Sequence, residues 1–147
     1  MAPNDADSGP PPDPPLLVID GANVVGSVPD GWWRDRLGAA ERLRDSLVPL
    51  ASTGLPAAGG APDWAVGTPL DILLVVEGAA RATSPIPGVR VEPAPASGDD
   101  LITALVTQAH TSDPDRPILV VTADRELRRR VTAAGASYTG PRTIRTP

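Results

Sequence analysis

In this 147-residue chain, acidic residues recur where apolar runs stop. Asp20 closes LLVI, Glu77 closes ILLVV, and Asp124 stands two residues beyond ILVVT. Asp99 and Asp100 follow the shorter run VRVEP and open a helical segment. Short apolar runs of this kind read as buried parallel strands, and open α/β sheets bind ligands beyond the carboxyl ends of their strands. Five carboxylates are therefore expected along one edge of a sheet. Like charges within ~4–6 Å raise one another's pKa, so such a set calls for a cation. Carboxylate and water ligands suit Mg²⁺ or Mn²⁺ and need neither His nor Cys. One ion, or two held ~3.5–4 Å apart, can activate water and stabilise the leaving oxygen of a phosphodiester. The expected chemistry is metal-assisted phosphoryl hydrolysis, with Asp20, Glu77, Asp99, Asp100 and Asp124 as the metal-binding set. Taken singly, these residues have plainer readings: a strand-end Asp is often a turn former, and Ser97 or Asp99 can cap a helix.

Composition removes competing chemistries. The chain has no Cys, which excludes disulfides, thiolate nucleophiles and Cys-based zinc sites. One His, His110, leaves no His-rich metal centre. All 13 basic residues are Arg, so a Walker A loop or a Schiff-base lysine is excluded. The formal net charge of −5 argues at first against a nucleic-acid partner. Three acids, however, lie in an N-terminal tail and five in the candidate site, leaving ten against the thirteen arginines. A modestly basic rim then surrounds an acidic centre. No apolar run reaches the ~18 residues of a membrane span and no secretory leader is apparent, so the expected location is cytoplasmic.

The elements that must position the acids follow from pattern. Residues 1–15, rich in Pro and Asp, form an expected disordered tail, and 16–147 a single domain. Strands are expected at 16–20, 71–78, 89–94 and 118–122, with a last one at 137–140. An amphipathic helix is expected over 32–51, with Trp33, Leu37, Ala40, Leu43, Leu47 and Leu50 on its apolar stripe. A second helix follows Ser97, with Leu101, Ile102, Leu105, Val106 and Ala109 inward, and a third runs from Arg125 to a cap at Gly135. Residues 52–69 form a long Gly/Pro/Ala loop, expected to be functional or disordered. Strands alternating with helices imply a three-layer α/β/α sandwich with a mainly parallel central sheet.

Four motifs in order carry a resemblance. Asp20-Gly21-Ala22-Asn23 after the first strand, Glu77 after the second, Gly98-Asp99-Asp100 opening a helix, and Thr122-Ala123-Asp124-Arg125-Glu126-Leu127 after a late strand resemble the NYN-domain family of PIN-like ribonucleases, in its bacterial YacP-like branch. The resemblance spans 16–140. It implies a PIN-like fold and a metal-dependent endoribonuclease acting on single-stranded RNA, with messenger or ribosome-associated RNA among its partners and no membrane. It assigns metal binding to Asp20, Glu77, Asp99 and Asp124, with Asn23 and Thr122 orienting ligand or water. Glu77 departs from the Asp often found there. An RNA-binding module without catalysis and a nucleotide pyrophosphohydrolase are the rival readings. The paired E-x-x-E motifs of helical pyrophosphohydrolases are absent, and an aspartyl phosphatase would need D-x-D where Ala22 stands.

Outside the motifs, Arg125 and Arg128 are candidate phosphate contacts, Arg129, Arg34, Arg36 and Arg81 weaker ones. Trp32 is the candidate for stacking on a base, while Trp33 fits the core stripe. Trp64 is expected to anchor the long loop or touch substrate, and His110 to cap its helix.

Overall fold

A computed structural model describes residues 13–145. Five parallel strands, β1 (Leu16–Asp20), β2 (Asp71–Val76), β3 (Val89–Pro93), β4 (Ile118–Val121) and β5 (Ser137–Thr139), form one sheet in the order β3-β2-β1-β4-β5. Within the apolar runs the faces alternate, as a strand's period of two demands. Leu17, Ile19, Ile72, Leu74, Val76, Leu119 and Val121 enter one core cluster; Leu16, Val18, Leu73, Val75, Ile118 and Val120 enter the other. Helices cover both faces. On the first lie α1 (Gly21–Val25), α2 (Arg36–Leu47) and α3 (Leu50–Thr53); on the second lie α4 (Gly98–Ser112) and α5 (Arg125–Ala133). The three-layer sandwich expected from the sequence is thus the observed one.

The chain leaves β1 for one face and β4 for the other. That makes the gap between β1 and β4 the topological switch point, where open α/β sheets take their ligands.

Five expectations need correction. The helix expected over 32–51 is three pieces: a 3-10 turn at Trp32–Arg34, then α2, then α3. Asp35 caps α2 through the Gly38 amide at 2.9 Å, so the helical phase begins after the tryptophans. Pro49 then interrupts the amide ladder. Trp33 is accordingly not core but 51% exposed, whereas Trp32 is the half-buried member that packs on the core. The 52–69 loop is ordered by a parallel bridge between Leu55 and Val66, with Leu55 and Ala65 buried and Trp64 packed against the core. Tail residues Pro14 and Pro15 are held to the sheet, their carbonyls accepting from Arg116 (2.8 Å) and the Asp71 amide (2.9 Å). The rest of the tail, 1–12, lies outside the described residues. His110 sits in the last turn of α4 with its ring against Gly135, and the C-cap is Asp113. No helix among the described residues is long and apolar enough to cross a membrane.

Candidate functional site

Asp20 is the last residue of β1 and the N-cap of α1. The chain turns there because position 21 is Gly: a Cβ would stand 2.5 Å from the Val75 carbonyl oxygen of the neighbouring strand. The turn leaves Asp20 4% exposed. One carboxylate oxygen accepts from the Asn23 amide (3.4 Å), the other from the Thr122 hydroxyl (2.8 Å). No cation pairs with it among the described residues. Burial pushes its pKa up to about 6; the hydrogen bonds from Thr122 and Asn23 pull it down, and the charges of Asp99 and Glu77 add to the rise.

Asn23 and Thr122 join the two sides of the switch point. Asn23 Oδ1 accepts from the Ala123 amide at 2.8 Å, tying the α1 turn to the end of β4. The buried Thr122 hydroxyl donates to Asp20 and accepts from the Asp124 amide at 3.1 Å. Asp124 caps α5 through the Leu127 amide at 3.0 Å. The plainer capping reading and the functional one therefore coincide at Asp20 and Asp124: the cap fixes where the carboxylate stands.

Glu77, one residue past β2, reaches across to the start of α4, where its Oε1 accepts from the Gly98 amide at 3.0 Å. A side chain at position 98 would collide with that oxygen, which accounts for the Gly in Gly98-Asp99-Asp100. The same contact brings Asp99, in the first turn of α4, to the acid edge. Burial raises the Asp99 pKa, the charges of Asp124 and Glu77 raise it further, and Arg130 opposes them. Asp20, Glu77, Asp99 and Asp124 thus sense one another as a single electrostatic set. Asp100, the fifth acid, is exposed and bound to Arg130 at 3.0 Å, and its charge adds to the rise at Asp99.

The donor chemistry of the four acids fits a hard divalent cation, since all are oxygens, and burial, with neighbouring acids adding to it, raises the pKa values of Asp20 and Asp99. As the side chains lie, no three His, Cys, Asp or Glu residues among the described ones stand close enough together to enclose an ion.

The candidate RNA contacts divide. Arg125 is exposed and makes no ion pair among the described residues. Arg128 is committed internally: its Nε donates to the Thr122 carbonyl at 2.8 Å and its guanidinium lies 4.6 Å over the Tyr138 ring. Arg129 pairs with Glu126. Trp32 lines a cavity of about 150 Å³ together with Arg36 and Glu77. Three contacts had no reading in the sequence: Glu77 with Gly98, Thr122 with Asp20, and Arg128 with Tyr138. Only the first left a signal, the Gly beside two acids.

No family model and no curated protein matches this chain. Solved structures do match, among them two crystal structures of Rae1 (YacP) from Bacillus subtilis, one of them a point mutant. The mutant aligns at TM-score 0.62 and 17% identity over 88% of this chain and 70% of that one. The other aligns at 0.61 and 19% over the same shares. The chain therefore has the fold of the Rae1 (YacP) structures, the three-layer α/β/α sandwich to which its motifs also pointed.

Proposed function

We propose that the protein is a metal-dependent endoribonuclease that hydrolyses phosphodiester bonds in single-stranded RNA. The observation that carries this reading is the placement of four mutually repelling acids, Asp20, Glu77, Asp99 and Asp124, at the switch point of the sheet with no cation on Asp20. The fold shared with Rae1 (YacP), an NYN-domain ribonuclease, supports it. The four acids would hold Mg²⁺ or Mn²⁺, which supplies an activated water and neutralises charge on the leaving oxygen. Asp20, largely ionised at neutral pH with a pKa of about 6, would give the ion a carboxylate that the Thr122 hydroxyl holds in orientation. Asn23 would keep the two strand ends at fixed separation. Arg125, exposed next to Asp124 and without an ion pair among the described residues, would engage a phosphate of the strand.

The test is cleavage of labelled single-stranded RNA, single-stranded DNA and nucleoside triphosphates with Mn²⁺, Mg²⁺ or EDTA, with Asp20→Asn and Asp124→Asn alongside. RNA cleavage that needs metal and both aspartates is expected. Cleavage that persists in EDTA, or equally in both variants, overturns the metal site. RNA binding without cleavage favours a binding module, and hydrolysis of triphosphates alone favours a nucleotide hydrolase.

A further inference from the structure

Beside the carboxylate edge, and sharing the end of β2 with it, lies the cavity of about 150 Å³. Three elements build it. Gly21, Ala22 and Val25 come from α1; Trp32, Arg36 and Ala40 from the 3-10 turn and α2; Val76, Glu77, Gly78 and Ala80 from the end of β2 and the turn after it. The floor is aliphatic, with Val25, Ala40 and Val76 all buried. One wall is a stack in which the Arg36 guanidinium lies 5.2 Å over the Trp32 ring, and Trp33 meets that indole edge-on with centroids 6.0 Å apart. Glu77, a member of the acid set, stands at the rim.

We infer that this cavity is a slot for one unpaired nucleobase of the strand whose phosphate lies at the carboxylate edge. Cavities of about this volume accept a single aromatic ring. Indole and guanidinium planes are the surfaces on which splayed-out bases stack. The sequence-tolerant nature of stacking suits an aliphatic floor that offers a base no hydrogen-bonding code. The slot and the acids share Glu77, so a base seated on Trp32 would hold its own phosphate within reach of the reacting edge. Within the 3-10 turn Trp32 is the half-buried member, on the cavity side, and Trp33 is the exposed one. A duplex cannot insert a base into such a slot without unstacking it, so the slot selects single strands.

The inference rests on the ribonuclease reading for its substrate, and two measurements separate their failures. In the first, wild type, Trp32→Leu and Ala80→Leu cleave a set of RNA oligonucleotides, each with one abasic position, in Mn²⁺. One abasic position next to the cut is expected to lower kcat/KM about tenfold to a hundredfold in the wild type. Trp32→Leu, and Ala80→Leu by filling the slot, should lose a similar factor on intact RNA and lose nothing more at that abasic position. Equal loss at that position in wild type and Trp32→Leu overturns the slot. In the second, a protein whose one remaining tryptophan is Trp32 (Trp33→Phe with Trp64→Phe) is titrated without metal by a nucleoside monophosphate or by ribose 5-phosphate. Saturable fluorescence quenching by the nucleotide alone supports the slot, even in a protein that cleaves no RNA. Quenching by neither, or by both equally, overturns it.

Discussion

Two aspartates on adjacent strands, at opposite edges of the same sheet, show how one residue type serves two ends. Asp71 begins β2 and Asp20 ends β1. At the amino edge Asp71 accepts from Arg90 through both its oxygens (3.0 and 2.8 Å) and from Arg116 at 2.8 Å. Burial works to raise its pKa, but the hydrogen bonds and charges of Arg90 and Arg116 outweigh it and the net shift is downward. At the carboxyl edge Asp20 has only the Asn23 amide and the Thr122 hydroxyl, both uncharged, and its pKa rises to about 6. Among the described residues, the protein pairs one carboxylate with two of its own arginines and the other with none. A charge buried without a counterion destabilises the fold, and such groups mark functional sites more often than structural ones.

Breaking each end should therefore give opposite results. The largest effect is expected at Asp20: Asp20→Asn should lower metal-dependent RNA cleavage about a hundredfold or more, ~3 kcal/mol in barrier height. The same change should stabilise the metal-free protein at pH 7.5, with a ceiling of about 3 kcal/mol set by the rise from 3.8 to about 6. Thermal melts in EDTA read the gain, and Mn²⁺ should raise Tm in the wild type but much less in the variant. A loss of both activity and stability would place Asp20 with Asp71 as a structural residue.

At the other edge, Asp71→Asn should cost about 2 kcal/mol of stability, because it leaves Arg116 half-buried without its charge partner. Activity per folded molecule should not change; urea melts and a cleavage assay on the same sample check both.

The two carboxylates should also respond to pH in opposite directions. Asp20, raised in the fold, contributes stability that is complete below pH about 4 and lost as pH climbs through about 6. Asp71, lowered in the fold, contributes stability that is present above its unfolded pKa and lost as pH falls through its folded value. Denaturant midpoints measured from pH 3 to 8 in EDTA should show the fall between about 4 and 6 in wild type and not in Asp20→Asn. The smallest effect is expected at Arg125. Arg125→Ala should slow cleavage about fivefold or less and lower the salt slope of RNA binding by ~0.7, one phosphate contact on a single strand.

What could be read in advance follows from range along the chain. Strands β1, β2 and β4 are runs whose burial needs no partner identity, so their ends, and the acids on them, were legible. The capping of α2 by Asp35 overrode an apolar stripe that extends through Trp33, and an exposed tryptophan was therefore read as core. Arg128 looked like a phosphate ligand because its neighbours in sequence are arginines; its actual partners, the Thr122 carbonyl and the Tyr138 ring, are visible only once β4 and β5 lie side by side. The ion pair of Asp100 with Arg130 likewise exists only once α4 and α5 lie side by side.

By itself the sequence determined the layer architecture, the polarity of the sheet and the edge to which the acids belong, because apolar period and strand-end position are local properties. It placed Asp20 after its apolar run and Asp71 before its own, at opposite edges of the sheet, but not the groups that would surround either one. Only the tertiary structure decided which of them meets two guanidinium groups and which meets none. Coulombic and desolvation energies depend on distance in space, and the arginines that answer Asp71 lie 19 and 45 residues away along the chain.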